Sequence, residues 1–596
     1  MILRALYDLA HAEGLVDDPD YVQADVAYHL SLGPKGKNPR LVPVFTERKE
    51  GNKTLLDLHR IPVPREPGRS GTKAPALFLL DKASYLFGLS PDKNAPGGLK
   101  RFDKECDRFR DRARGLRTAL PNGSVDLQAL DSLLGFLEGP AETRHKLFRD
   151  AYEAAPTKKE KDHLVTKPIY IVFAPEGMTP LHRMPLIQEQ WRQQRSDESK
   201  TGVIARCLVT GQVGPKADRH TFLKGLAGAT SSGVPLVSFN KSAFESYGLL
   251  GNDNAPVGQE AAEAYAAALN RLLDNKPTRP DGERLGRQNV ILSRDTVAVF
   301  WSREPSNLSW ITSLADSPDS VRSMLLTPHA GRRPPLEDPA AFFTMVISGT
   351  QGRAIVRSFV PTTTAEAAAN VNRYLEDASI DRPFGEGTGT YPLRDLLRSL
   401  APLGDDERLP PRLATEVYLA AITGQRLPFV VLESAVRRNR IEGTEGRSFA
   451  ARCSLIRLSL VRKRATKEEP TVSLDPENNQ PGYLLGRLLA VIDHVQQDAL
   501  GGINSTLVDR YYGSASSTPA VVFPTLLRRS QHHFSKLRRE SPGLAVVREK
   551  SLQDAMSGLG AFPRRLTLEA QGLFALGFHH QRQFFFTKTK SDDSKE

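Results

Sequence analysis

Strand-like and helix-like patterns of apolar positions alternate along the chain before residue 466. Alternating apolar and polar residues, or short apolar runs that end at Gly or Pro, predict strands. The predicted strands lie at residues 25–33, 41–45, 167–177, 205–215, 234–240, 295–302 and 342–360, the last with a turn inside it. Apolar residues spaced three and four apart predict helices at 1–14, 99–117 and 256–275. This mixed order of elements favours an α+β organisation.

A polar segment rich in Pro and Asn, TKEEPTVSLDPENNQPG at 466–482, separates the mixed part from an almost purely helical one. The helices predicted after it lie at residues 483–500, 519–540, 546–558 and 566–586. The predicted fold class is α+β multidomain, with a mixed N-terminal and central region and a C-terminal all-α helical bundle. The expected regions are a basic N-terminal region at 1–120, a central α+β region at 121–475 and the bundle at 476–596.

Two adjacent histidines, His579 and His580, lie in the apolar stretch FALGFHHQRQFFF at 574–586. Neighbouring side chains on a helix point about 100° apart, so the two rings do not easily share one metal ion. Zinc-binding pairs on a helix are normally four residues apart and need further ligands. No cysteine or suitably spaced acid lies nearby. We therefore expect a packed helix with His580 hydrogen-bonded inside it, and no metal site.

Length and composition narrow the class of protein. A chain of 596 residues is too long for a single core, and 39% hydrophobic residues are enough for it to fold. No apolar run approaches the roughly 20 residues that a membrane helix needs. The first 14 residues form an amphipathic pattern that lacks the parts of a signal peptide. Only three cysteines occur, far apart in sequence, which favours a reducing compartment and a cytoplasmic location.

Positive charge is concentrated near the N-terminus. The whole chain carries a net charge of +12, and residues 35–117 hold 20 Lys and Arg against 10 Asp and Glu. These basic residues lie largely in segments rich in Gly, Ser and Pro, where backbone amides can also approach a phosphate. We therefore expect a polyanionic partner, with nucleic acid ahead of the alternative of an ordinary solvated surface.

Compact catalytic motifs are absent from the sequence. The chain has no GxxxxGK[ST], HExxH, GxSxG or CxxC, and its 13 histidines are scattered. GPKGKN at 33–38 has its glycines too close together for a phosphate-binding loop, and GEGTG at 385–389 does not follow a strand. We expect a protein that is not an enzyme and that needs no cofactor.

Many short elements, in order along nearly the whole chain, resemble the large subunit of the type I-C CRISPR Cascade complex. The densest group lies in the middle, where Cys207–Gly211, His220, VSFN at 237–240, SYG at 246–248 and NAPV at 254–257 are similar. Others are MILRALYDLA at 1–10, RSG at 69–71, FLLDKASYLFG at 78–88, TGQRLP at 423–428, GYLLGRLLAVIDHVQQDAL at 482–500, DRYYGSASSTPAVVFPTLL at 509–527 and FALGFHHQRQ at 574–583.

The resemblance implies a subunit of an RNA-guided surveillance complex. Such a subunit recognises the protospacer-adjacent motif in target DNA, promotes duplex opening and R-loop formation, and helps recruit a separate helicase-nuclease. The implied partners are the CRISPR RNA-containing Cascade subunits, namely the backbone subunits, the subunit that binds the 5′ handle and the small subunit. Target double-stranded DNA and its displaced strand are the implied ligands, and no membrane is involved. Guide pairing reads most of the target, so the protein itself reads only a few base pairs.

Several residues are the expected DNA contacts in that role. Lys35, Lys37, Arg40, Lys100 and Arg101 are expected to contact phosphates. The loop REPGRSGTK at 65–73 is the candidate motif reader, because its glycines allow close approach and its side chains supply donors. Those side chains are Arg65, Arg69, Ser70, Thr72 and Lys73. The alternative for any one of them is an ordinary surface position.

Two further sets of residues are weaker candidates for DNA contacts. Asn240 and Lys241 form one of them, although an Asn in a turn more often caps the local backbone. The other lies on the bundle, which resembles the Cascade small subunit, and there His579, Gln581 and Arg582 are expected to face the DNA strands.

The polar segment at 466–482 leaves open whether the bundle also exists as a separate small subunit. Residues from Val472 onward are numerous enough for an independent helical core. No Met lies between Met345 and Met556, so an internal start would need another codon, at Val461, Val472 or Leu474.

Two alternatives to the surveillance-complex role also stay open for the whole chain. One is a nucleic-acid-processing enzyme with an unrecognised active site, and the other is a basic scaffold that binds only protein.

Overall fold

The structure is a computed structural model that describes most of the chain. The residues that it does not describe are 17, 19, 51–52, 67–73, 93–94, 96–97, 156–159, 162–163, 165–169, 202, 278–284, 330, 384–385, 464–468, 502–505 and 593–596. The chain divides into two compact units. The N-terminal unit comprises Met1–Gly225 and Thr230–Gly286, and the C-terminal unit comprises Leu226–Ala229 and Arg287–Glu596. The boundaries of these two units differ from those of the three regions expected from the sequence, 1–120, 121–475 and 476–596. The three-region division stays a prediction.

A five-stranded mixed sheet and two small hairpins form the β-structure in the first part of the N-terminal unit. The strands are β1 (Tyr21–Leu32), β2 (Arg40–Pro43), β3 (Thr46–Glu50), β4 (Lys53–Asp57), β5 (His59–Pro64), β6 (Leu80–Asp81), β7 (Leu89–Pro91), β8 (Leu99–Arg101) and β9 (Tyr170–Pro175). The long strand β1 pairs in parallel with β9 and antiparallel with both β2 and β5. Strand β6 pairs antiparallel with β9, and β3–β4 and β7–β8 are the hairpins.

Helices cover this sheet and build the core of the N-terminal unit. They are α1 (Ile2–Ala12), α2 (Ala83–Leu86), α3 (Asp103–Arg117), α4 (Val125–Glu138), α5 (Ala141–Ala154), α6 (Pro185–Thr201) and α7 (Gln259–Leu273). Helix α4 packs against β1 and β9, and α1 packs against α7. Buried side chains such as Leu30, Phe87, Leu130 and Phe148 fill the space between sheet and helices. The predicted helix at 99–117 begins only at Asp103, because residues 99–101 pair with β7 instead.

The segment between α6 and α7 has little regular structure. Its only hairpin among the described residues is formed by β10 (Ile204–Arg206) and β11 (Val213–Pro215). The strand predicted at 234–240 is not formed, and only Val234 makes a bridge, with Leu223. Gly233 has a φ of 85° and Pro235 has no N–H to donate, so the chain leaves the extended conformation on both sides of that bridge.

The C-terminal unit begins with a four-stranded antiparallel sheet. Its strands, in spatial as well as chain order, are β12 (Asn289–Ser293), β13 (Thr296–Ser302), β14 (Ala341–Thr350) and β15 (Arg353–Thr363). A short pair, β16 (Ile380–Asp381) and β17 (Thr388–Gly389), follows. The strands predicted at 295–302 and 342–360 are confirmed, including the turn inside the second.

Helices make up most of the remaining C-terminal unit. They are α8 (Ser309–Asp316), α9 (Val321–Leu326), α10 (Thr364–Asp377), α11 (Leu393–Leu400), α12 (Pro411–Thr423), α13 (Phe429–Glu442), α14 (Gly446–Lys463), α15 (Pro481–Leu500), α16 (Leu507–Ala515), α17 (Pro519–Glu540), α18 (Pro542–Ser557) and α19 (Leu568–Asp592). The four helices predicted after residue 482 are confirmed as α15, α17, α18 and α19. The α+β fold class with a C-terminal helical bundle is confirmed as well.

The bundle shares its core with the helices that precede it. One continuous cluster of buried side chains runs from Val290 on the sheet to Phe578 on α19. Helix α19 packs against α15 inside the bundle and also against α13 and α14, which precede the polar segment. The polar segment is therefore a boundary in composition that does not separate two hydrophobic cores.

Candidate nucleic-acid interface

The basic loop between β1 and β2 is held rigidly on helix α4. Gly36 and Gly135 face each other so closely that a side chain on either would collide with backbone. A Cβ on Gly36 would lie 2.7 Å from the carbonyl carbon of Gly135, and one on Gly135 would lie 2.6 Å from the carbonyl oxygen of Lys35. The Gly33 N–H also donates to the Lys37 carbonyl oxygen at 2.8 Å, which closes the loop. The loop is thus closed by its own hydrogen bond and packed backbone to backbone against α4.

Three of the predicted phosphate contacts are exposed on this loop. Lys35 adopts a left-handed conformation with φ 54° and ψ 32°, which directs the chain around the turn while its backbone contacts α4. Lys37 follows it, and Arg40 begins β2 opposite Ser31 of β1. The side chains of all three are exposed. The structure therefore brings Lys35, Lys37 and Arg40 together as solvent-facing cations on a fixed backbone.

Lys100 and Arg101 lie on β8, which leads directly into α3. Both are exposed, and they pair in register with Ser90 and Leu89 of β7. The Lys100 ammonium lies 5.7 Å from the centre of the Phe102 ring, close enough for a cation–π contact. Helix α3 packs on α4, the same helix that holds the basic loop. Both sets of predicted phosphate contacts are therefore attached to one pair of helices in the N-terminal unit.

Arg65 is buried, unlike the predicted phosphate contacts, with only 6% of its surface exposed. Its Nη2 donates to the carbonyl oxygen of Tyr21 at 2.7 Å, and its Nε lies 3.7 Å from the Glu263 carboxylate. Glu263 also accepts from Arg195 at 3.0 Å. Arg65 therefore anchors the end of β5 inside the unit, which argues against the predicted role as a reader of bases. The rest of that prediction, Arg69, Ser70, Thr72 and Lys73, lies outside the described residues.

Asn240 and Lys241 lie in irregular backbone and are exposed. Among the described residues, the Asn240 side chain makes no hydrogen bond, so the alternative of a local backbone cap is not what the structure shows. Lys241 precedes a single 3₁₀ turn, Ser242–Phe244, and its carbonyl oxygen accepts from the Phe244 N–H at 3.0 Å. Both side chains are free to contact a ligand from this turn.

Most of the FHHQRQ segment of α19 points inward. His579 and Gln581 are 1% and 2% exposed, which corrects the expectation that they face DNA. His579 Nε2 lies 2.8 Å from the Asp381 carbonyl oxygen, and Gln581 Oε1 accepts from Arg487 at 3.1 Å. His580 is expected to be hydrogen-bonded inside the packed helix, and its position agrees with this. Its side chain is fully buried, and its Nδ1 lies 3.0 Å from the Tyr483 hydroxyl oxygen.

Of His579, Gln581 and Arg582, the Arg582 side chain is the one that reaches the surface, where it already has two hydrogen-bond partners. Its Nη1 donates to the Thr444 carbonyl oxygen, and its Nη2 pairs with the Glu445 carboxylate, each at 3.1 Å. A DNA phosphate would have to compete with Glu445 for this guanidinium. Among the described residues, no cluster of three His, Cys, Asp or Glu side chains is arranged to hold a metal ion.

The burial of His579 leads to a prediction about acid sensitivity. Burial lowers the pKa of His579 to about 4, although its bond to the Asp381 carbonyl opposes the shift. Between that value and about 6.5, the unfolded chain binds a proton that the folded one does not. We therefore expect His579 alone to lower the free energy of unfolding of the C-terminal unit by about 3 kcal/mol as the pH drops from 6.5 to 4. Burial also lowers the pKa of His580, which adds in the same direction.

Urea unfolding at a series of pH values measures this dependence. The variant His579→Gln cannot be protonated and should lose part of the pH dependence. The control is His532→Gln on an exposed surface of α17, which should keep all of it. Equal pH profiles for the wild type and His579→Gln would contradict the assignment.

A second basic surface, which the sequence analysis did not single out, lies on α17. Phe523, Leu526, Phe534 and Leu537 bury one face of this helix in the bundle. The opposite side carries basic residues, partly paired with Tyr511, Glu540 and Glu549. They are Arg528, Arg529, His532, Lys536, Arg538 and Arg539. The segment RRSQHHFSKLRRE contains the signal, because its apolar residues mark the buried side and leave the basic ones on the other.

Comparison with known proteins agrees with the resemblance described above at the level of the family. No curated protein sequence matches the chain. Among the described residues, every helix is too short or too polar to span a lipid bilayer. A family model described as CRISPR-associated protein (Cas_Csd1) matches residues 3–586, which is almost the whole chain. The chain therefore belongs to the Cas_Csd1 family of CRISPR-associated proteins.

Proposed function

We propose that this chain is the large subunit of a type I-C CRISPR Cascade surveillance complex. In this role it recognises the protospacer-adjacent motif in target DNA, promotes duplex opening and R-loop formation, and helps recruit a separate helicase-nuclease. It works in the cytoplasm together with the CRISPR RNA-containing subunits, and it has no catalytic site of its own. Membership of a CRISPR-associated family supports the proposal, and so does the resemblance of elements along the whole chain.

The observation that carries the DNA-binding part is the rigid basic loop between β1 and β2. Lys35, Lys37 and Arg40 are exposed there on a backbone that is fixed against α4. Phosphate contacts position a protein on a duplex without reading its sequence. A fixed group of cations loses little conformational freedom when DNA binds, so more of the electrostatic attraction appears as affinity. Guide pairing then supplies most of the sequence recognition.

Salt dependence of DNA binding tests this proposal. The complex, purified with this chain as wild type or with Lys35→Ala, Lys37→Ala or Arg40→Ala, is titrated with target duplex at several salt concentrations. Each substitution should weaken binding to all duplexes about equally and should reduce the salt slope by about 1, because one phosphate contact is lost. Arg373→Ala, which removes an exposed arginine on α10 of the C-terminal unit, should change neither.

The two alternatives predict different results in the same system. A nucleic-acid-processing enzyme would cleave DNA or RNA in single-turnover reactions with divalent metal ions when this chain is present alone. A scaffold that binds only protein would show no salt-dependent affinity for duplex and no difference between the lysine variants and the wild type. A variant that changes the preferred motif while keeping the full salt slope would contradict the positioning role of these residues.

A further inference from the structure

One aromatic side chain of the N-terminal unit projects entirely into solvent. Tyr247 is 101% exposed, whereas large aromatic residues usually bury most of their surface. Its backbone has a φ of 56°, in the left-handed region that a bulky residue rarely adopts. The conformation carries the ring away from the body of the unit. An unfavourable backbone conformation that is kept by its surroundings is typical of functional positions.

The loop that carries Tyr247 is closed by side-chain hydrogen bonds. The Ser246 N–H donates to Asn254 Oδ1 at 2.8 Å. Asn254 Nδ2 donates to the carbonyl oxygens of Leu249 and Gly251, each at 2.9 Å. Residues on both sides of Tyr247 are therefore fastened to a single asparagine. The exposed ring stands on a loop with a defined backbone.

A second set of bonds fastens this loop to the residues that directly follow the β10–β11 hairpin. Asn252 Nδ2 donates to the carbonyl oxygens of Ala217 and Asp218 at 3.0 and 2.8 Å. The Lys216 ammonium, which lies just after β11, forms an ion pair with Asp253. The ring is thus presented by a preorganised platform, so a ligand that stacks on it does not have to order the loop.

The surroundings of Tyr247 on this platform suit nucleic acid. Asn240 and Lys241 are exposed a few residues earlier in the same irregular segment, and Arg219 is exposed just after the hairpin. Among the described residues, Arg219 and Lys241 have no ion pair. An exposed planar ring and cations without an ion pair, carried by one irregular segment, are the kinds of group with which proteins hold unpaired bases and their phosphates.

We propose that Tyr247 is a stacking platform for an unpaired base of the opened target DNA. This inference rests on the proposed function, because it needs a strand that has left its duplex. Stacking on a tyrosine is tolerant of sequence, since every base has a flat face, and so it fits a protein that must hold any displaced or opening sequence. The Asn240 amide and the Lys241 ammonium would then contact the same strand beside the stacked base.

Fluorescence of a base analogue tests the inference in the purified full-length chain. The probe is single-stranded DNA that contains 2-aminopurine, whose emission is quenched when it stacks on an aromatic ring. The wild type and Tyr247→Phe should bind the probe and quench it. Tyr247→Ala should lose the quenching and bind about 5- to 150-fold more weakly, the range expected for one base–aromatic stack. Leu250→Ala removes an exposed aliphatic side chain from the same loop and should behave as the wild type.

Two outcomes would overturn the inference while leaving the proposed function intact. In the first, Tyr247→Ala binds and quenches as the wild type does, with the salt slope unchanged. In the second, both Tyr247→Ala and Leu250→Ala lose a protein subunit from the purified complex but bind the probe normally, which would show that another protein covers this surface. A wild-type chain and complex that bind no DNA at low salt would remove the proposed function and this inference together.

Discussion

Gly486→Ala is expected to lower the free energy of unfolding of the C-terminal unit by at least about 3 kcal/mol. Helices α15 and α19 contact each other backbone to backbone at this point. A Cβ on Gly486 would clash with the carbonyl oxygen of Phe574 and would lie 2.7 Å from the backbone nitrogen of Phe578. Backbone atoms cannot rotate aside as side chains do, so the two helices would have to separate.

Two further glycines, one on each helix, make the same kind of contact, which explains the size of the effect. A Cβ on Gly577 of α19 would fall on the carbonyl oxygen of Tyr483, and one on Gly482 would fall on that of Ala570. Separating the helices at any one of these glycines also disturbs the other two. The loss should exceed the roughly 1 kcal/mol that alanine gains over glycine inside a helix.

Gly543→Ala is the matched control, because it makes the same chemical change in helix α18 with nothing within 4 Å of the new methyl group. It should leave stability unchanged or raise it slightly. Urea unfolding, followed by the fluorescence of Trp301 and Trp310 of the C-terminal unit, measures both variants. Equal stability of Gly486→Ala and Gly543→Ala would show that the helices are not packed this closely.

A fragment from Val472 to Glu596 is expected to lose cooperative unfolding when it is made alone. It would keep α15 to α19 but would lack α13 and α14, which cover one side of α19. The Phe449 ring of α14 lies 5.9 Å from that of Phe578, edge to face. A Cβ on Gly572 would lie 3.1 to 3.4 Å from Ile456, Leu432 and Leu460. Each large apolar side chain uncovered in the fragment costs about 1.5–3 kcal/mol.

Thermal melting and binding of a hydrophobic dye measure this expectation. The isolated fragment should bind the dye and melt broadly, and a separate peptide of residues 428–463, which carries α13 and α14, should sharpen the transition. A fragment that melts sharply by itself would instead support the prediction that the bundle can exist as a separate small subunit. Intact mass measurement on a complex expressed from the unmodified gene would show whether such a subunit is made.

Long elements with a regular period could be predicted from the sequence. Apolar residues at helical spacing locate α7, α15, α17, α18 and α19 to within a few residues, and strand alternation locates β13 to β15. In these elements the local pattern and the tertiary contacts favour the same conformation. The short helix α16 was not predicted, although its capping box of Thr506 and Asp509 is visible in the sequence.

Elements whose conformation depends on remote contacts could not be predicted in this way. VPLVSFN at 234–240 has the composition of a strand, but no neighbouring strand supplies a ladder for it, and only Val234 forms a bridge. A strand needs a partner to satisfy its N–H and C=O groups, and that partner is not visible in local sequence. Tyr247 belongs to the SYG element of the resemblance, and nothing in the sequence SYGLLG indicates a fully exposed ring.

The order of most strands and helices and the concentration of positive charge near the N-terminus can be read from the sequence, because they depend on composition and on spacing between near neighbours. The family follows from the resemblance of short elements along nearly the whole chain, which the match to the family model supports. Which charged and polar side chains face solvent depends on tertiary contacts. Lys35 and Arg65 look alike as basic residues in glycine-containing loops, yet Lys35 is exposed and Arg65 is buried against Tyr21 and Glu263. A side chain is buried by segments distant in sequence, and no local pattern records which of them will cover it.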